Sequence, residues 1–158
     1  MSAGALVVGV AVTGFASSEP KAGLPARPVY GTTFQVVNSS YAGGRVDFTH
    51  IVARCYASNG TCTITAGKSA TNSIDVSLGW NSGGVASGLG ISSAGSTSIS
   101  VGCTSPRLRP GVAWTGYAVG RYFTYRIKKV TSAPSGVTST YSGWLHAFSA
   151  YSNQIYCK

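Results

Sequence analysis

Residues 73–103 read SIDVSLGWNSGGVASGLGISSAGSTSISVGC, and the rest of the chain is interpreted from this run. Ile74, Val76, Leu78 and Trp80 alternate with Ser73, Asp75, Ser77 and Gly79; the same two-residue beat returns at Val85, Leu89 and Ile91 and at Thr97, Ile99, Val101 and Cys103. A period of two sends successive side chains to opposite faces of a pleated strand. With turn chemistry at Asn81 to Gly84 and Ala94 to Ser96, the segment is expected to be a meander of three antiparallel strands. From Val76 to Pro106 no residue is charged, and the outward positions are Ser, Thr, Gly and Asn. Soluble sheet edges usually carry Lys or Glu against unwanted pairing. This ribbon is therefore expected to be covered by the fold or by a partner, with Trp80 and Asn81 as candidate partner-binding residues.

Upstream, Thr32 to Val37 reads as a first strand. Arg45 to Tyr56 reads as a longer one, with Val46, Phe48, His50 and Val52 on one face and Ile51, Ala53 and Cys55 on the other. Apolar residues on both faces predict a central, doubly covered strand. Thr61 to Ala66 returns after a turn. Downstream, Pro106 and Pro110-Gly111 break the pattern before strands near 112–119 and Arg121 to Val130. Ala133-Pro134-Ser135-Gly136 is a turn, and strands near Thr138 to Tyr141 and Trp144 to Tyr151 follow. No run keeps a helical period. About eight or nine short strands with regular turns predict an all-β fold, a two-sheet antiparallel sandwich.

The 158 residues suffice for one domain with its own core. Charged residues make up only 9%, yet three Trp, nine Tyr and five Phe supply packing mass that a disordered chain lacks. Met1 to Ala16 is an apolar run of small residues, shorter than the roughly 18 a membrane span needs, and reads as a secretory signal. No Lys or Arg precedes it, so the true start is expected upstream. Residues 17–30 hold Pro20, Pro25 and Pro28 and form an extended arm, either a frayed terminus or a docking arm with Pro20, Lys21, Leu24, Pro25 and Arg27 as partner-binding candidates. Residues 31–158 are then the single sandwich domain. Four cysteines in an exported chain predict two disulfides. Cys55 and Cys62 bracket Ala57-Ser58-Asn59-Gly60, with Gly60 available for a left-handed backbone, which leaves Cys103 to Cys157. Clustered metal-ligand spacing is absent from the sequence, and no metal or cofactor is expected.

Twelve Lys and Arg against three acids give a net charge of +9. Such an excess draws a protein toward polyanions or simply keeps a weakly charged surface soluble. Arg107, Arg109, Arg121, Arg126, Lys128 and Lys129 cluster in sequence as a candidate basic patch, interleaved with Tyr117, Tyr122 and Tyr125. That mixture suits single-stranded nucleic acid, but export makes nucleic acid an unfavoured partner beside anionic wall polymer or lipid. Catalysis is poorly supplied. A glycosidase pair has only Asp47 and Asp75 to draw on, no GxSxG elbow occurs, and Asp47 and His50, three apart on a strand, point to opposite faces. His50 is expected to be a hydrogen-bonded core residue, and no enzyme activity is expected.

The run Cys103-Thr104-Ser105-Pro106-Arg107-Leu108, then Gly111, Trp114, Val119-Gly120 and Tyr125-Arg126-Ile127-Lys128-Lys129, follows the Ser/Gly-rich segment. Over about residues 60 to 130 this resembles small secreted β-proteins of high-GC Gram-positive bacteria, and is similar to the adaptor subunit of their umbrella toxin particles. The resemblance implies a non-catalytic module that joins larger secreted proteins of an antibacterial toxin complex. A contrasting expectation comes from the Ser/Thr-rich alternation of Ile74 to Val101, which also suits a small aerolysin-like pore former.

Overall fold

A computed structural model describes residues 29–158, which form nine strands and one short helix. The spine is β7, Ala113–Ala133, rich in aromatic and β-branched residues and free of proline. On one side it pairs antiparallel with β1, Gly31–Tyr56. On its other side lie β8, Gly136–Tyr141, and β9, Leu145–Cys157, and β4, Ser73–Ile74, adds beyond β9. The sheet order is β1-β7-β9-β4, with β8 against the far end of β7. The turn after Ala133 forms as its Pro and Gly predict. Gly120 does not break β7 in two: a Cβ there would lie 2.3 Å from the Ser149 carbonyl oxygen, so it marks the close approach of β9.

The two upstream strands are one strand, and it is an edge rather than the expected centre. β1 pairs only with β7, leaving Phe48 54% and Ile51 41% exposed. Its register shifts between Val37 and Ser40 and between Ala42 and Arg45, with Asn38 and Gly44 in left-handed backbone, and shifts twice more between Asp47 and Ala53. The outer edge from Gly31 to Gly44 carries no charge. From Asn38 onward the bulges kink it and so hinder pairing in place of charge, while Gly31–Val37 runs in unbroken register.

Two cores sit on opposite faces of this sheet. Ala147 and Phe148 are consecutive in β9, so they face opposite ways. Phe148 joins Ala118 and Ala150 against Ala70 and Ile99, which belong to the ribbon of β3, Lys68–Thr71, and β5, Ser96–Ile99. Ala147 joins Phe123, Tyr125 and Ile127 against Val85 of the helix α1, Ser82–Leu89. A second ribbon pairs β2, Thr63–Ile64, with β6, Cys103–Thr104. Each face of the long sheet is thus covered over one half and open over the other.

The meander expected over residues 73–103 is not formed. Only β4, β5 and the first residues of the β2–β6 partner strand are extended, and α1 stands at the centre of the run. Asn81 caps the helix, its Oδ1 accepting from Gly84 N–H at 2.7 Å, and Gly90 closes it in left-handed backbone. Val85 and Leu89, four apart, share the helix face turned to the sheet. Trp80 stacks on Phe34 with ring centroids 5.6 Å apart. Gly84 and Gly88 are required here, since a Cβ would come within 2.1 Å of Trp80 Nε1 and 2.7 Å of Val36 Cγ2. The apolar side chains of the uncharged segment, among them Leu78, Trp80, Val85, Leu89 and Ile99, are therefore packed by the fold itself, while most of its Ser and Gly positions stay exposed. Thr61 to Ala66 likewise pairs with β6, not with β1.

Cys55–Cys62 and Cys103–Cys157 are both bonded, in the expected pairing. Asn59, not Gly60, takes the left-handed conformation in the first loop. The all-β, disulfide-linked class stands. The strand order, however, is that of one long sheet flanked by two-stranded ribbons, where the sequence predicts two facing sheets. No helix among the described residues is long and apolar enough to cross a membrane. The signal-like residues 1–16 and most of the arm lie outside the described residues; Val29 and Tyr30 are exposed and precede β1.

Candidate functional site

The bulge after Asp47 overturns the expected separation of Asp47 and His50. His50 Nδ1 lies 2.9 Å from Asp47 Oδ2, and Thr49 donates its amide and hydroxyl to Asp47 Oδ1. Had β1 run straight, residues three apart would have faced opposite ways. Burial pushes the Asp47 carboxyl upward, but the hydrogen bonds from Thr49 and His50 together outweigh it and hold the group below its ordinary value. His50 is exposed at the rim, not a core residue. Its neighbours Arg45, Val46, Phe48, Ser73, Tyr122 and Phe148 line a mainly apolar groove of about 330 Å³.

Tyr122 connects this groove to a second pair. Its ring stacks on His146 at 5.4 Å, and His146 Nδ1 lies 3.9 Å from Asp75 Oδ2. Asp75 also ties the sheet edge together, accepting the His146 amide on its carboxylate and the Tyr125 hydroxyl on its carbonyl. Both histidines of the chain thus face the only two described carboxylates. Thr49 Oγ1 lies 2.9 Å from His50 Nδ1 and also donates to Asp47 Oδ1, so hydroxyl, imidazole and carboxylate meet within one turn of the bulge. Among the described residues, no three His, Cys, Asp or Glu side chains gather as a metal site would need.

Several cations lie over aromatic rings of the sheet, most of them on its open halves. On the face opposite the helix, Arg126 stands 5.6 Å from the Tyr141 ring centroid and 5.9 Å from that of Trp144, and Lys128 stands 5.8 Å from Tyr141. On the other face, Arg121 lies between Tyr41 and Tyr151 at 5.8 and 5.7 Å. Lys158 sits 4.4 Å above Phe48 and 5.5 Å from Tyr117. Lys129 covers Phe34 at 5.8 Å. Such contacts lie within the range of cation–π attraction, worth about 0.5–1 kcal/mol each at exposed sites. No described Lys or Arg has an Asp or Glu side chain within ion-pair distance; the ion-pair contacts of Asp47 and Asp75 are to His50 and His146.

The basic residues clustered in sequence are not one patch. Arg126 and Lys128 share one face, Arg121 and Lys129 the other, as alternation in a single strand requires. Arg107 and Arg109 lie in the loop before β7, where Arg107 Nε donates to the Asn59 carbonyl. Trp80 and Asn81, singled out on the supposed ribbon, act in packing and capping α1. Pro20, Lys21, Leu24, Pro25 and Arg27 lie outside the described residues. The sequence reading missed Phe48, Tyr141, Trp144 and Lys158 as site residues; they meet their partners across strands, which residue spacing does not signal. No protein-family model, curated protein or solved structure matches this chain.

Proposed function

We propose that this chain is a non-catalytic, exported binding module that engages larger partners through the open halves of its sheet. The observation that supports it is the set of cations resting on exposed or half-buried aromatic rings, with no carboxylate partner among the described residues. An anionic group arriving there meets charge that is already positioned and an apolar platform beside it. The disulfides suit an oxidising compartment. An adaptor in an extracellular toxin complex, the role implied by the resemblance of residues 60 to 130, is a module of this kind.

Affinity capture from culture supernatant of the producing cells, with the bound proteins identified by mass spectrometry, tests the reading. Capture should be specific and should weaken as salt rises from about 0.05 to about 0.3 M, as the Debye length shortens. It should fall further in an Arg121→Gln, Arg126→Gln, Lys128→Gln variant that melts like the parent. An empty capture, or one indifferent to those substitutions, overturns the proposal. The pore-forming alternative was motivated by an alternating ribbon that the fold replaces with a helix and core-packed strands. Dye-loaded liposomes should accordingly stay intact.

A further inference from the structure

The long sheet exposes three edges, and they are not protected alike. β1 is bulged from Val37 onward and half-buried at Phe34, Val36 and Val37 in its unbroken first seven residues, and β4 offers only two residues. β8 combines an unbroken register with exposure at every position. Gly136 to Tyr141 runs in continuous register against Ala133 to Lys128 with no bulge, no charge and no proline, and all six residues are exposed. Among the described residues, nothing pairs with its outer side. Residues in an antiparallel ladder alternate between bonded and non-bonded pairs. Since the Ser142 amide donates to the Ile127 carbonyl at 2.9 Å, the even positions of β8 turn their backbone toward β7. Val137, Ser139 and Tyr141 turn their N–H and C=O groups outward.

We propose that the outer edge of β8 receives an extended acidic segment of a partner protein, added as a further strand. This rests on the binding-module reading and names the surface and the chemistry of its ligand. Main-chain pairing along an open edge supplies affinity, and alternate side chains supply selectivity. The side chains of Val137, Ser139 and Tyr141 stand on the same face as Arg126 and Lys128, which lean over the Tyr141 ring toward the free edge. Neither cation has a carboxylate partner among the described residues, so glutamates at alternate positions of an added strand find charge without a counter-ion. A second copy of this chain fits badly, because pairing two β8 edges brings these same cations together with no acid between them.

The probe is a fluorescently labelled peptide of alternating Glu and Val, read by anisotropy against a counterpart with Lys for Glu. The Glu peptide should bind and the Lys peptide should not, and the outward amides of Val137, Ser139 and Tyr141 should gain protection from hydrogen exchange. Ser139→Pro removes an outward donor without touching the ladder to β7. It should weaken binding about tenfold or more, the scale of one hydrogen bond lost plus a steric block, at an unchanged melting temperature. If that variant folds poorly, Ser139→Glu serves instead, since it sets a negative charge on the same face against the acidic peptide and should weaken binding likewise. Unchanged binding in both variants, no binding at all, or a dimer that Ser139→Pro converts to monomer overturns the proposal. If Ser139→Pro still captures the secreted partners, the edge is excluded and the binding module stands; if the parent captures none, the module reading fails whatever the peptide does.

Discussion

Tyr125 has no exposed surface, yet it carries a hydroxyl, and that hydroxyl donates to the Asp75 carbonyl across the end of the sheet. Burial, with the nearby Asp75 carboxylate, pushes the phenol up to about 12 from its ordinary value of 10.0. A raised pKa means the folded state favours the protonated phenol. The associated stability is fully present below pH 10, the unfolded value, and is lost as pH climbs through about 12. Tyr125→Phe should therefore cost about 1 kcal/mol near neutrality, the net worth of a buried hydrogen bond. Between pH 10 and 12 the melting temperatures of parent and variant should converge, because only the parent has this phenol to ionise. Parallel thermal melts across that range check both statements, and curves that stay a constant distance apart would contradict the second.

At the scale of elements, α1 is the clearest case of what the sequence conceals. Val85, Leu89 and Ile91 fall on odd positions, which suits a strand, but Val85 and Leu89 are also four apart, which suits a helix. Gly83, Gly84 and Gly88 lower helix propensity and favoured the extended reading. The signals pointing the other way were Asn81 as a cap and Gly90 as a left-handed stop, and both operate in the fold. Strands with unambiguous alternation, such as Phe123, Tyr125 and Ile127 in β7, were legible, as was the turn at Pro134. The Asp47–His50 pair was not, because a bulge changes which side chains share a face and leaves no trace in residue spacing. The glycines of α1 make a sign test. Gly83 faces solvent and a Cβ there would meet only Asn81 Oδ1 at 3.5 Å, so Gly83→Ala should stabilise by about 0.5 kcal/mol. Gly84→Ala, one position on, drives a methyl into the Trp80 indole that Phe34 holds in place, and should destabilise by about 1–3 kcal/mol. Denaturant unfolding of the two variants should move the midpoint in opposite directions.

Across the whole molecule, the covalent links gather at one end. Cys55 lies at the end of β1 and Cys157 at the end of β9, both beside the start of β7, and their bonds hold the β2–β6 ribbon and its loops. The other end, where β8 and the first residues of β1 flank β7, carries no disulfide and relies on the core under α1. The end offered to partners thus folds by packing alone, and the opposite end is stapled. The two bonds span 54 and 7 residues of chain. By loop entropy they contribute about 4 and about 2 kcal/mol. A Cys103→Ala, Cys157→Ala variant should therefore lose more stability than a Cys55→Ala, Cys62→Ala variant. In native-state hydrogen exchange the long-loop variant should open first at β2, β6 and the end of β9, while the amides of α1 and the inner side of β8 keep their protection. Equal losses from the two pairs, or simultaneous opening at both ends, would show that the sheet behaves as one cooperative unit and that its two ends are not independently held.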